Sequence, residues 1–136
     1  MVVKYLIDTH VFLWALMDTS KLPQRIYDIL EDDRNKVFIS PMSFWEIAIK
    51  SQNGKLKLEG IPVIHLPHIA EQMDFLTLTP SAYDYVSIAQ IPLKDNHHDP
   101  FDRMLIQQAI RNDLVLISKD EKFRQYEENG LQLLWE

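Results

Sequence analysis

The sequence predicts an α/β protein, three layers deep, with a mostly parallel central sheet flanked by helices. Three observations carry this. Short apolar runs alternate along the chain with stretches of helical periodicity. Of those runs, residues 2–7 are mostly apolar and 114–117 continuously so, as expected of strands buried on both faces. Helix entrances are marked by a polar capping residue followed by proline, as at Ser40-Pro41 and Asp99-Pro100.

In chain order, residues 2–7 form a β-rich strand that ends at Asp8-Thr9, either of which can cap a helix over residues 10–17. A loop through Asp18-Thr19-Ser20 leads to Pro23 and a helix carrying Ile26, Ile29 and Leu30. Residues 36–39 read as a strand, and Ser40-Pro41 opens a helix that holds Glu46 and stops at Gly54. Residues 55–68 contain two prolines, Pro62 and Pro67, and no sustained period, so irregular elements are expected there, then a helix over 67–73. Residues 75–78 look like a strand. Thr79-Pro80 should start a helix with Ala82, Val86 and Ala89 on one face, followed by a loop over 91–98. Asp99 precedes a proline and reads as the N-cap of the next helix, where Phe101, Met104, Leu105, Ala109 and Ile110 make a core-facing stripe. A strand over 114–117, a short helix containing Phe123 and Tyr126, and a last strand over 131–135 complete one domain spanning 1–136.

Composition narrows the function. A chain of 136 residues buries roughly two thirds of its unfolded surface without staples. It has no cysteine, which removes disulfides, thiolate metal sites and thiol nucleophiles. No signal-peptide pattern opens the sequence, and the apolar run 11–17 is far too short to span a bilayer, so a cytoplasmic protein without membrane attachment is expected. The net charge of −6 disfavours a protein that coats nucleic acid non-specifically. It leaves room for an enzyme whose acids surround a cation.

The acids are placed suggestively. Asp8 and Asp120 follow strands, and Asp99 and Asp102 stand at the entrance of the helix that feeds strand 114–117. Glu46 lies one to two turns into a helix that starts from the same edge. In parallel sheets, sites form beyond the carboxyl ends of the strands. Each acid also has a plain structural reading: Asp8 and Asp99 as caps, Glu46 as a solvated helix position, Asp120 as a turn residue. Their joint placement on one rim is what favours function, because crowded carboxylates repel unless a cation sits among them. With carboxylates as the dense ligand type, that cation should be hard, Mg²⁺ or Mn²⁺. Such ions usually bridge to phosphates, which points to phosphodiester chemistry.

The order Leu6-Ile7-Asp8-Thr9-His10, Glu46 after Ser40-Pro41, His98-Asp99-Pro100-Phe101-Asp102-Arg103, and Leu116-Ile117-Ser118-Lys119-Asp120 resembles a PIN domain. It is most similar to the VapC-type toxin ribonucleases of toxin-antitoxin pairs, over nearly the whole chain. The resemblance implies Asp8, Glu46 and Asp102 as the first three metal-binding acids and Asp120 as the fourth, variable one. It places Thr9 and Ser118 as supporting hydroxyls, Asp99 as an additional acid ranked below Asp102, and Arg103 either on phosphate or in a surface salt bridge. The implied activity is hydrolysis of RNA by metal-activated water, leaving a 5′-phosphate, with a cognate antitoxin and a second copy of the chain as partners. His10, His97 and His98 are expected to be packing or polar surface residues, and Trp14, Trp45 and Tyr85 fit core or interface equally.

Other classes fit less well. A haloacid-dehalogenase-like phosphotransferase needs a second aspartate two residues after the first, where this chain has His10, and a receiver domain needs adjacent acids near the first strand. A catalytically silent PIN-like module that only binds RNA or protein is disfavoured by the presence of all four principal acids.

Overall fold

The computed structural model describes residues 3–94 and 97–136. Its centre is a five-stranded parallel sheet in the order β3-β2-β1-β4-β5, formed by β1 (Lys4–Ile7), β2 (Lys36–Ile39), β3 (Leu76–Thr77), β4 (Val115–Ile117) and β5 (Gln132–Leu134). Among the described residues six α-helices accompany them: α1 (Thr9–Met17), α2 (Gln24–Glu31), α3 (Pro41–Gln52), α4 (Leu66–Gln72), α5 (Ala82–Ser87) and α6 (Pro100–Arg111). The predicted three-layer α/β class is therefore what the chain adopts.

The layers follow from alternation along the strands. Leu6 and Leu116 are buried in one core with Leu105, Ile106, Ala109, Phe123 and Tyr126. Their neighbours Ile7 and Ile117 point the other way, into a core with Phe12, Ile39, Ile47, Leu66 and Phe75. Successive side chains of a strand leave opposite faces, so continuous apolar runs supply both cores at once.

The helix entrances form as their residues dictate. Ser40 caps α3 by accepting from the Met42 N–H, and Asp99 caps α6 by accepting from Phe101 N (2.8 Å) and Asp102 N (3.1 Å). Pro41 and Pro100 take the first helical positions.

Some expectations need correction. The helix expected from Thr79-Pro80 starts at Ala82, because Ser81 and Asp84 make a capping box across Ser81 N and Asp84 N. It gives way to a 3₁₀ turn at Ile88–Gln90, and its apolar face is outward: Tyr83 and Val86 are exposed while Asp84 and Ser87 are buried. Asp84 pairs with Arg111 at 2.7 Å and the Ser87 hydroxyl accepts from Gln107 at 2.8 Å, so polar pairing fixes the inward face. The short helix expected around Phe123 and Tyr126 is a 3₁₀ helix over Glu121–Asn129 closed by Gly130 at φ 100°, and Thr19–Lys21 is a 3₁₀ turn where a plain loop was expected. Val2 of the first expected strand and Asp95-Asn96 of the 91–98 loop lie outside the described residues. Among the described residues no helix is long and apolar enough to cross a membrane.

Candidate active site

The sheet order reverses beside β1: β2 and β3 lie to one side, β4 and β5 to the other. Strand order switches between β1 and β4, which is where parallel sheets open a crevice. Ile7 and Ile117 are in register and Asp8 N donates to Ile117 O at 3.2 Å, so the residues leaving the two strands, Asp8 and Ser118, meet at the crevice.

Asp8 is held from two sides. Its Oδ1 accepts from Val11 N at 2.8 Å, the N-cap bond of α1, and its Oδ2 accepts from the Ser118 hydroxyl at 2.5 Å. The Ser118 oxygen accepts in turn from Asp120 N at 3.0 Å. Burial pushes the Asp8 carboxyl above its usual range, against the pull of these two bonds, and the Glu46 charge adds to the rise.

Thr9, the first residue of α1, donates its hydroxyl to Glu46 Oε1 at 2.7 Å and lies 2.9 Å from the Ser43 hydroxyl. Ser43, Glu46 and Lys50 occupy positions three and four apart on α3, hence one face. Lys50 Nζ reaches Glu46 Oε2 at 2.6 Å. Both oxygens of this buried carboxylate are thus engaged.

Asp102 lies in the first turn of α6, where the helix dipole favours a negative charge. Its Oδ2 is 2.9 Å from His97 Nε2. His97 is buried against the rings of Phe123 (5.2 Å) and Tyr126 (5.4 Å). Burial raises the Asp102 pKa to about 6; the His97 bond opposes this, and the charges of Asp99 and Glu46 reinforce it.

Thr9, next to Asp8, thus ties α1 to Glu46 on α3, and the Glu46 charge reaches both Asp8 and Asp102. Asp99 stands beside them, with one oxygen committed to capping α6. Asp120 follows Ser118, but its Oδ1 caps the 3₁₀ helix by accepting from Lys122 N at 2.9 Å. Among the described residues no three carboxylate or imidazole groups stand together as a ready-made metal cage. The donor set nevertheless suits a hard divalent ion: every acid offers oxygen, and Mg²⁺ typically takes one or two carboxylates and keeps its waters. A buried carboxyl, Asp8, and a half-buried one, Asp102, both displaced upward, are also what a cation would relieve.

Arg103 departs from both expectations. It is 5% exposed, and its guanidinium donates to the carbonyls of Pro92 (3.0 Å), Ile88 (3.2 Å) and Ile91 (3.1 Å). It clamps a loop and forms neither a surface salt bridge nor an accessible phosphate contact. Sequence reasoning overlooked Lys50 and Ser43, though both lie at helical spacing from Glu46, and it left His97 without a partner. Trp45 is exposed with its ring against Phe101 (5.2 Å), Tyr85 is exposed, and Trp14 is half-buried against Trp135 (5.8 Å).

A parallel sheet of this order with acids at its switch point defines a family: the chain belongs to the PIN domain family, whose model matches residues 5–129. No curated protein matches the chain. Its fold is similar to that in the crystal structure of VapBC2 from Rickettsia felis bound to a promoter DNA fragment, at 14% identity, covering 98% of this chain and 100% of that one, with a TM-score of 0.65. It is also similar to VapBC-1 from nontypeable Haemophilus influenzae (17% identity, 97% of each chain, TM-score 0.64). A third likeness is to FitAB bound to the IR36 DNA fragment, at 19% identity over 96% of this chain and 93% of that one, with a TM-score of 0.61.

Proposed function

We propose that this protein is a Mg²⁺- or Mn²⁺-dependent endoribonuclease, the toxin of a toxin-antitoxin pair, acting in the cytoplasm. The observation that carries the proposal is the hydrogen bonding of Asp8 to Ser118 and of neighbouring Thr9 to Glu46 at the switch point of a PIN-family sheet, with Asp102 within electrostatic reach of Glu46. Asp8, Glu46 and Asp102 would hold the metal, with Asp120 as a fourth, outer acid. When bound, the ion supplies a water of lowered pKa and neutralises charge on a phosphodiester.

The chain's own residues do the rest. The Ser118 hydroxyl and Val11 N–H fix the Asp8 carboxylate, one bond to each oxygen. Thr9 orients Glu46, and His97 orients Asp102. Asp99 shapes the entrance of α6 and adds negative charge beside Asp102. No protein nucleophile is required, so the product keeps a 5′-phosphate. Likeness to the VapBC and FitAB structures supports a small antitoxin as partner, and a homodimer is part of the same reading.

Incubating the purified protein with a mixed RNA pool, with and without Mn²⁺, and mapping the new ends tests this. Cleavage should require the ion, and Asp8→Asn or Asp102→Asn should lower it by more than about a hundredfold, since even loss of an outer-shell partner typically costs 10- to 100-fold. Circular dichroism should show both variants folded. Cleavage that persists in EDTA, or folded variants of undiminished activity, overturns the proposal. Intact binding of RNA without any cleavage would instead identify a silent module.

A further inference from the structure

Lys50 is the cation that already stands in the acidic crevice. Among the described residues it is the one lysine or arginine ion-paired with any of Asp8, Glu46, Asp99, Asp102 and Asp120. Its partner is unusual for a pair four apart on a helix, because the Glu46 side chain is only 6% exposed while Lys50 keeps 40% of its own. The ammonium also lies in the fields of Asp99 and Asp102. It reaches in from the solvent edge on a flexible stem, and that stem can withdraw as easily as it enters.

The two oxygens of Glu46 are held differently. Oε1 is bonded to the hydroxyl of Thr9, a buried donor on α1. Oε2 is bonded to the half-exposed ammonium. A divalent ion that binds Oε2 from the side the ammonium occupies displaces Lys50, the more exposed of the two donors.

We propose that Lys50 is a tethered counter-ion that occupies the cation seat on Glu46 in the metal-free protein and is displaced by the divalent metal, so that it sets the protein's metal affinity. This rests on the reading of Asp8, Glu46 and Asp102 as metal-binding acids. A seat that is free only part of the time lowers apparent affinity by the fraction of time it is free. Removing the occupant therefore tightens metal binding, although it touches no ligand atom destructively.

The test is isothermal titration of Mn²⁺ into the wild-type chain and into Lys50→Met, Lys50→Arg and Lys119→Met. Lys119 is exposed next to Ser118 and serves as a control for simple loss of one positive charge. Lys50→Met should bind Mn²⁺ about tenfold more tightly than wild type, and Lys119→Met within about twofold. Lys50→Arg keeps an occupant and should bind no more tightly than wild type. Thermal denaturation supplies a second readout: Lys50→Met should melt lower without metal and gain more from Mn²⁺. In ¹³C-lysine-labelled protein, saturation with Mg²⁺ should shift the Lys50 Cε resonance and leave that of Lys119 in place. Equal or weaker Mn²⁺ binding by folded Lys50→Met overturns the displacement, as does an equal gain in Lys119→Met. Absence of Mn²⁺ binding in wild type and Lys50→Met alike removes the metal reading itself, and the displacement with it.

Discussion

Ser118 shows how much a single buried hydroxyl can organise. It donates to Asp8 and accepts from Asp120 N, tying the ends of two strands to one another through an acid. Ser118→Ala should weaken Mn²⁺ binding by about tenfold, the usual scale for a group that orients a metal ligand, and titration calorimetry would measure it. The stability cost should be about 1 kcal/mol, that of one hydrogen bond. At this scale the acids were legible in the sequence because strand ends and cap-plus-proline entrances announce where a side chain will sit. Partners were not. Arg103 follows Asp102 directly, yet successive helix residues point about 100° apart, and the guanidinium ends up on the carbonyls of Pro92, Ile88 and Ile91. His97 is set by the rings it packs on, Phe123 and Tyr126, about thirty positions later.

Helix α6 serves the site and the scaffold from different faces. Asp102 and Asp99 lie at its entrance, while Arg103, Gln107 and Gln108 are buried and bond to Pro92 O, Ser87 O and Leu78 O. The segment before α6 thereby has its carbonyls satisfied by side chains where a sheet ladder is lacking. Arg103→Met leaves three such carbonyls without this donor and should cost about 3 kcal/mol in urea denaturation, with Mn²⁺ affinity changed by no more than about threefold. A variant of normal stability with weakened RNA binding would instead place Arg103 on substrate. The same polar anchoring explains why α5 was misjudged. Periodicity finds helices by their apolar stripe, and here the inward positions are Asp84 and Ser87, so the rule locates the helix but inverts its face. The 3₁₀ helix at Glu121–Asn129 escaped for a related reason: only Phe123 and Tyr126 are buried in it, three apart, a spacing that suits either helix type.

For the molecule as a whole, the buried acids give stability a dependence on pH that a metal should reverse. Asp102 titrates at about 6 in the folded chain against an ordinary 3.8, so between these values the native state holds the extra proton. Its contribution is present below about 4 and is lost as pH rises through about 6. Asp8, also displaced upward, acts in the same direction. Asp84 runs the other way: burial would raise it, but its bonds to Ser81 and Arg111 win and hold it low, so its contribution is lost as pH falls. Melting temperatures across pH 4 to 8 in EDTA should therefore show a fall between about pH 4 and 6 that Asp102→Asn reduces. With Mn²⁺ present the stabilisation should grow over the same range, because ligand carboxylates must be ionised to take the ion. A profile identical in wild type and Asp102→Asn would show that Asp102 is not so displaced. The fold class was readable at this scale because a parallel sheet leaves the plainest trace, apolar runs without alternation.

The position of β1 has a consequence for how the chain comes into being. Its neighbours on the two sides are β2, made soon after it, and β4, which lies more than a hundred residues further on. A nascent chain leaving the ribosome can pair the first of these early but has nothing to close the second edge until residue 118 has emerged. Asp8 then acquires its hydroxyl partner and Asp102 its finished surroundings together, so a truncated translation product carries the acids without the arrangement that makes them a site.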